Sequence, residues 1–594
     1  VSESDLYRSA ADDLRGNPGQ WAAYESKGHC VVLAGPGSGK TKTLTLKMAR
    51  LLSEDVQEPR GIACITYNNE CARELETRLG DLGIESGGRV FIGTVHSFSL
   101  TQIVMPYAQT AEMGLPEDFR VATRAERRLA LERAYNIAIS GPENPQNLDF
   151  GMSNYRRSIL NRESAAWRET NPRLAALTEE FERQLRILKL IDFDDMPLLA
   201  VRALRKHPWL QRALLAKFPV LAVDEYQDLG RALHRMVLGL CFHTGMRLFA
   251  VGDADQSIYE FNGASPALFR ELTERDDVET VRLRLNYRSG TKIVSASGFA
   301  LGEPRDYEPA EGAIAGGIHF HPLTGSYESQ AVKVFNTILK DLGKRYPNIR
   351  ADEVAIVYPA AYMGDGLADV ARQVGLPIIR TDNNSLYPRS SPLMRWLEMC
   401  AEWCCAGWKS GVPRISQIVN QGGRLFNEAM RTPEAKGEFQ RIIVGFLWGK
   451  RNGALNLGDW LVAIKGDIVD DLVRQCPTIT DDAETLQTFI ERTSAGGDCA
   501  EMTLDQFGGQ TGRLDSLNLS TLHSAKGREF RIVIMFGMDE GRLPRRDASA
   551  PQQREARRLF YVGFTRAKQE VHIVYSSGRP SPFVIELQQR LEEE

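Results

Sequence analysis

The stretch Ala34-Gly35-Pro36-Gly37-Ser38-Gly39-Lys40-Thr41 constrains this chain more than any other. Before it, Cys30 to Leu33 is an unbroken apolar run that reads as a buried strand. After it, Leu44, Leu46, Met48, Leu51 and Leu52 recur as the inner face of a helix. Glycines at 35, 37 and 39 let the backbone curl until its N–H groups point inward, and the positive end of the following helix strengthens the field there. A strand, loop and helix of this kind cradle phosphate oxygens as a Walker A loop. Lys40 would reach the β and γ phosphates and Thr41 would hold Mg²⁺. Ala34 stands where the motif usually begins with glycine, a mild departure. The loop commits its surroundings to an α/β fold with a parallel sheet, because such turns sit at the carboxyl ends of parallel strands.

A chain of 594 residues exceeds one hydrophobic core, and roughly three to five units are expected at this length. Apolar residues at 43% and charged residues at 25% exclude disordered and fibrous classes. A formal net charge of -4 excludes a uniformly basic nucleic-acid coat but leaves room for a local basic channel. Nine cysteines without framework spacing suit a reducing compartment. The densest group, Cys400, Cys404 and Cys405, lies among Trp396, Leu397, Met399 and Trp403 and reads as a core helix rather than a metal centre. VSESDLYRSAADDL has no signal-peptide character, and no apolar run approaches the roughly 18 residues of a membrane span. The expectation is a cytoplasmic enzyme with no membrane partner and no metal beyond Mg²⁺.

Short apolar strands recur at Ile62 to Thr66, Val220 to Val223, Leu248 to Val251, Val354 to Tyr358, Ile532 to Phe536 and Val571 to Tyr575, each followed by a loop rich in polar residues. They fall into two α/β groups, each interrupted. Residues 101–215 are almost continuously helical in character and rich in arginine. Residues 386–514 are again mainly helical, with Gly and Pro breaks. No internal repeat or low-complexity linker is evident.

Two strand ends carry further chemistry. Asp224-Glu225-Tyr226-Gln227-Asp228 follows Val220 to Val223; Asp224 suits a Mg²⁺ ligand and Glu225 a general base for the attacking water. At the next such end, Val251 to Tyr259, Gln256 has an amide that donates and accepts at once, as a γ-phosphate sensor or a water-positioning group needs.

In this order the segments resemble the UvrD/Rep/PcrA group of superfamily 1A DNA helicases, over most of the chain apart from the two insertions. Asn17-Pro18-Gly19-Gln20 looks like the family's Q motif, Gly61 to Asn69 like motif Ia, and Gly93-Thr94-Val95-His96-Ser97-Phe98 like the next single-strand contact motif. Asp192-Phe193-Asp194-Asp195-Met196 resembles the acidic segment ahead of motif II, Leu285 to Ser289 motif IV, Thr521 to Phe530 motif V, and Arg557 to Lys568 motif VI. The resemblance implies two RecA-like motor domains: 1A from 1–100 and 216–282, and 2A from 283–385 and 515–594. Each is interrupted by a helical insertion, 1B at 101–215 and a reduced 2B at 386–514.

It also implies roles. Lys40, Asp224, Glu225, Gln256, Arg288 and Arg566 are the expected catalytic set, with Arg288 and Arg566 as arginine fingers on the γ-phosphate. ATP is expected to lie against Gln20, Ala34 to Lys42, Tyr287 and Glu529, with Gln20 reading the adenine edge, Tyr287 stacking on it and Glu529 bonding the ribose. Thr41 and Asp224 are the expected Mg²⁺ ligands. Single-stranded DNA is expected on Thr66, Tyr67, Asn69, Thr94, His96, Tyr259, Phe261 and His523. The arginines of 1B are expected to guide DNA through its phosphates. The chain departs from the family pattern at Lys42, where arginine is usual, at Glu70 (lysine), Phe261 (tryptophan), Asn262 (arginine) and Ala556 (glutamate). The function implied is an ATP-dependent helicase moving 3′→5′ on single strands and acting at single-strand/duplex junctions. It would work alone or beside a nuclease or a repair or defence protein. The alternatives are a single-strand translocase that serves such a partner with little unwinding of its own, and a nucleotide-gated subunit.

Overall fold

The computed structural model describes residues 3–84, 88–259, 264–382, 384–389, 391–427, 429–430, 432–476, 479–508 and 515–593. The chain divides into two compact units. The first comprises Val1–His321, Ala525–Arg531 and Met538–Glu594; the second comprises Pro322–Ser524 and Ile532–Gly537.

The first unit is built on β1 (His29–Ala34), β2 (Ile62–Thr66) and β3 (Val90–Thr94). Beyond a two-residue pair within 101–215, β4 (Arg120–Val121) and β5 (Leu190–Ile191), come β6 (Val220–Val223), β7 (Arg247–Gly252) and β8 (Val278–Leu283). The order β3-β2-β6-β7-β1-β8 is parallel throughout, with Val32 opposite Val251 and Cys64 opposite Ala222. Successive residues of each central strand serve opposite faces. Val31, Ile65, Leu221 and Ala250 join one apolar cluster, while Cys30, Val32, Cys64, Ala222 and Val251 join another. Burial on both faces makes these strands continuous apolar runs. A second short pair, β9 (Leu285–Asn286) with β10 (Glu308–Pro309), follows the sheet. Later, β11 (Gly317–Leu323) lies beside β16 (Ala567–Ser576).

Within 101–215 the main helices are Arg124–Ala138, Asp149–Ser158, Pro172–Ile187, Asp195–Lys206 and Pro208–Lys217. Leu131, Tyr135, Phe181 and Leu185 form part of a separate core there. The arginine-rich surface expected of this segment is largely an ion-pair lattice. Arg127, Arg156, Arg157, Arg162, Arg168, Arg173, Arg183 and Arg186 each pair with a carboxylate of the same segment. At its centre the wholly buried Arg156 binds Asp192 at 2.7 Å and Asp195 at 2.9 Å. Arg168, Arg173 and Arg183 remain well exposed in their pairs, so the buried engagement is that of Arg156.

The second unit carries β12 (Val354–Tyr358), β13 (Ile378–Arg380), β14 (Leu517–Thr521) and most of β15 (Phe530–Phe536). They run parallel in the order β13-β14-β12-β15. Parallel α/β sheets in both parts of the chain fit two RecA-like motor domains. Between β13 and β14 the chain is helical from Pro392–Glu402 to Leu504–Phe507, around Trp396, Leu397, Cys400, Cys404 and Trp460. The cysteine-bearing segment is thus a core helix, and burial raises the Cys400 and Cys404 thiols. No helix among the described residues is long and apolar enough to cross a membrane.

Candidate nucleotide site

β1 delivers the phosphate loop and the helix Lys40–Arg50 leaves it. Gly37 and Gly39 hold φ of +67° and +81°, a region that side chains rarely adopt. Space excludes a side chain as well. A Cβ on Gly37 would lie 2.6 Å from the Arg288 Cβ and 2.7 Å from the Asn286 Oδ1, and one on Gly39 would lie 2.3 Å from the Gln20 Nε2. The loop is therefore seated directly against the turn after β9, where the Tyr287 N–H donates to the Gly37 carbonyl at 2.8 Å.

That turn is organised by Asn286, whose Oδ1 accepts from the N–H groups of Arg288 and Ser289 at 2.8 and 2.9 Å. The Ser289 hydroxyl donates to the Ala567 carbonyl at 2.7 Å, tying the turn to the start of β16. Arg288 reaches the Glu529 carboxylate at 2.7 Å and the Thr565 carbonyl at 3.3 Å. Glu529 also takes Lys568 at 2.7 Å. Burial raises its carboxyl, but Arg288 and Lys568 outweigh that and hold it at about 2.

A cavity of about 590 Å³ opens along the loop. Lys40, Asp224, Glu225, Gln256, Arg288 and Arg566, the six expected catalytic residues, all line it, as do Pro36 to Lys42, Tyr287 and Glu529. Ala34, Gly35 and Gln20 lie outside its wall. Gln20 is buried, and its Nε2 donates to the Ser38 carbonyl at 2.9 Å, so it braces the loop. Lys42 forms an exposed pair with Asp13 at 3.1 Å. A larger cavity of about 1180 Å³, lined by Asp253, Asp255, Arg305 and Tyr307 among others, contains neither Lys40 nor the acidic pair.

Glu225 sits at φ +49°, a strained conformation for a residue with a side chain. Its carboxylate lies 3.7 Å from the Lys40 ammonium and accepts from the Gln227 amide at 2.5 Å. Burial pushes Glu225 up, yet Lys40, Lys526, Gln227 and Arg566 together draw it down to about 2, so it is ionised at neutral pH. Asp224 moves the other way. Burial and then the charge of Glu225 raise it to about 7, with Lys40 only partly opposing. A buried carboxyl short of positive charge, sharing the cavity with the Thr41 hydroxyl, fits a hard divalent cation that prefers oxygen donors.

Gln256 links the acidic side to the arginines. Its Nε2 donates to Asp253 at 2.6 Å, and its Oε1 accepts from the Arg566 Nη2 at 2.9 Å. Either bond alone fixes the orientation of the amide, since reversing it would set donor against donor and acceptor against acceptor. Arg566 is buried. Desolvation and the nearby Arg288 lower it to about 9, with Glu225 opposing, and it stays charged at pH 7.

Three groups were missed in the sequence. Lys526, within the segment resembling motif V, bonds the buried Asp228 and the Gln256 carbonyl. Lys568 holds Glu529. Asn17 caps the helix Pro18–Glu25 through its Oδ1 and donates its Nδ2 to the Tyr287 hydroxyl at 3.0 Å, steadying a ring that is 51% exposed. The Asn-Pro pair was a readable N-cap signal; the contact to Tyr287, 270 residues away, was not.

The expected DNA contacts are less concentrated. Tyr67 and Tyr259 stack on each other, ring centroids 4.6 Å apart, and Lys526 lies over the Tyr259 ring at 5.4 Å. Thr94 caps the short helix that carries His96, and His96 meets the exposed Phe193 edge-on at 6.0 Å. Burial, and then Arg157, lower the His96 imidazole. Thr66 is buried, while Asn69 is exposed at a helix start. His523 belongs to the second unit. Phe261 and Asn262 lie outside the described residues, as does the side chain of Glu70.

Comparison with known proteins agrees with this geometry. Residues 16–276 match the UvrD/REP helicase N-terminal domain, and residues 464–578 match the UvrD-like helicase C-terminal domain. The ATP-dependent DNA helicase Rep of Salmonella typhimurium is 26% identical over 97% of this chain and 94% of its own length. The ATP-dependent DNA helicase UvrD1 of Mycobacterium tuberculosis is 27% identical over 96% of this chain and 84% of its own length. The ATP-dependent DNA helicase PcrA of Staphylococcus aureus is 24% identical, covering 94% and 82%. With two family domains that together span more than half of its length and a phosphate-loop cavity gathering the residues described above, the chain belongs to the UvrD/REP helicase family.

Proposed function

We propose that this protein is an ATP-dependent DNA helicase in which Arg288 and Arg566 couple hydrolysis to movement along a single strand. The observation that carries this reading is the Asp253–Gln256–Arg566 chain of hydrogen bonds, which joins a strand end of the phosphate-loop sheet to the segment resembling motif VI. In this reading the loop N–H groups and Lys40 hold the triphosphate, and Tyr287 stacks on adenine. Ionised Glu225 orients the attacking water and takes its proton. Arg288 and Arg566 neutralise charge as it develops on the γ-phosphoryl group.

Mg²⁺, held by Thr41 and Asp224, would supply charge neutralisation between the phosphates when bound. Glu529 is committed to Arg288 and Lys568. To bond a ribose it would share or exchange these partners, so its first task is to position Arg288. We place the motor domains and insertions at the boundaries given by the motif order. Closure and opening of the two domains in each cycle would alternate their grip on DNA. Tyr67, Tyr259, Thr94 and His96, with His523, are the proposed single-strand contacts, and 3′→5′ is the proposed direction. Nuclease, repair or defence partners remain compatible with such a motor.

ATPase measured with and without single-stranded DNA, on wild type and on Arg566→Ala, tests the reading. DNA stimulation that the variant abolishes supports it. Hydrolysis indifferent to both DNA and Arg566 refutes it.

A further inference from the structure

Away from the nucleotide cavity, β11 and β16 place four side chains of related chemistry together. His319 and His321 are two residues apart on β11, and Glu570 and His572 are two apart on β16, so each pair shares a face of its strand. The His572 Nε2 lies 2.9 Å from the Glu570 Oε2, and the His319 Nε2 lies 3.6 Å from the same oxygen. One ligand atom from each of the three falls within 4.8 Å of the others. The His319 and His572 rings stack with centroids 4.6 Å apart. Gly317 leaves room for this: a Cβ there would come within 2.8 Å of the His319 Nε2 and 3.5 Å of the Glu570 Cγ.

The geometry points to a binding site for a borderline divalent transition metal, Zn²⁺ in the first place, held by His319, Glu570 and His572. Ligands about 2.0–2.1 Å from a tetrahedral ion stand roughly 3.3–3.4 Å from one another, and the separations of 2.9 and 3.6 Å bracket that spacing. Two imidazoles with one carboxylate suit such an ion, whereas Mg²⁺ and Ca²⁺ prefer oxygen donors alone.

An orienting partner is also in place. The His572 Nδ1 is 2.9 Å from the His321 Nε2, so an Nδ1–H donated to His321 leaves the His572 Nε2 lone pair for the metal. His319 is 37% exposed as a side chain while its Nε2 is buried, facing the other ligands. The ion would staple β11 to β16, whose first residue, Ala567, directly follows Arg566.

The test uses the full chain, stripped by a chelator and titrated with Zn²⁺, and separately with Co²⁺ as a spectroscopic probe, in excess Mg²⁺ to cover the nucleotide site. The expected result is one equivalent bound, a rise in Tm, and a tetrahedral Co²⁺ visible spectrum without thiolate charge-transfer bands. His319→Ala, at the most exposed ligand, should stay folded, keep its DNA-stimulated ATPase and lose the bound equivalent. His321→Ala should weaken binding by about 10–100-fold. Absence of stoichiometric binding to the wild type, or binding unchanged in both His319→Ala and His572→Asn, would overturn the assignment.

Discussion

Replacing Gln256 by alanine removes one short side chain and two hydrogen bonds, and its consequence follows from the geometry. The bond from the Arg566 Nη2 to the Gln256 Oε1 is 2.9 Å long and both groups are buried. A hydrogen bond to a charged group contributes about 1.5–3 kcal/mol, and each 1.36 kcal/mol is tenfold in rate, so kcat should fall by roughly 10- to 150-fold. KM for ATP should change little if the bond matters mainly in the transition state.

Arg566→Ala should cost more, about 10³–10⁵ in kcat, as expected for an arginine finger. The decisive corner is the double variant. If Gln256 acts by positioning Arg566, removing it from Arg566→Ala should cost almost nothing further, giving a coupling of about 1.5–3 kcal/mol. Asp253→Asn provides an independent check. Asp253 accepts from both the Asp255 N–H and the Gln256 Nε2, and an asparagine has one acceptor oxygen for two donors. It should reproduce part of the Gln256→Ala loss. The assay is steady-state ATPase at saturating single-stranded DNA for all four corners of the cycle. Additive losses in the double variant would refute a positioning role for Gln256.

Three further outcomes follow from the same geometry. Asp192→Asn removes the carboxylate 2.7 Å from the buried Arg156, which keeps Asp195 and Glu182 as partners, so the expected loss is that of a charged hydrogen bond, about 1.5–3 kcal/mol; denaturant unfolding should show it. Tyr287→Ala should raise KM for ATP by about tenfold or more by removing a stacking surface worth about 1–3 kcal/mol, whereas Tyr287→Phe loses only the bond to Asn17 and should stay near wild type. The Asp224 carboxyl is raised to about 7, so without a cation its contribution to stability is fully present below about pH 4 and is lost as pH rises through 7. A divalent cation must displace that proton, so the Tm gain on adding Mg²⁺ should grow between pH 6 and 8 in wild type and flatten in Asp224→Asn.

The legible part of the fold is the part buried on both faces. β2, β6 and β12 begin and end where their apolar runs do. β3 and β8 are the edges of their sheet, and in β8 the exposed Glu279, Thr280 and Arg282 interrupt the buried Val278, Val281 and Leu283, so it carries no such run. β14 is central but contains the buried polar residues Asn518 and Ser520. The Asn518 Nδ2 finds the Asp352 carbonyl at 2.9 Å, a long-range partner that hydrophobic pattern does not reveal.

The site divides in the same way. Residue types bound to local geometry, the loop glycines, Lys40 and the acidic pair, were readable as chemistry in the sequence. The pairings of Lys526 with Asp228 and of Arg566 with Gln256 span 298 and 310 residues and depend on tertiary packing. The ion pairs of the arginines in 101–215 were not legible for a related reason. Their acidic partners are interleaved along the same helices and strand ends, and composition does not distinguish a paired guanidinium from a free one.

The central claim is that ATP turnover at this cavity drives movement along a single strand. Strand displacement on 3′-tailed, 5′-tailed and blunt duplexes, at one stated salt concentration and alongside ATPase on the same substrates, tests it most directly. The account predicts ATP-dependent displacement from the 3′-tailed duplex, weak or none from the other two, and loss of both displacement and stimulated ATPase in Arg566→Ala. Displacement that needs no ATP, or that Arg566→Ala leaves intact, would contradict it.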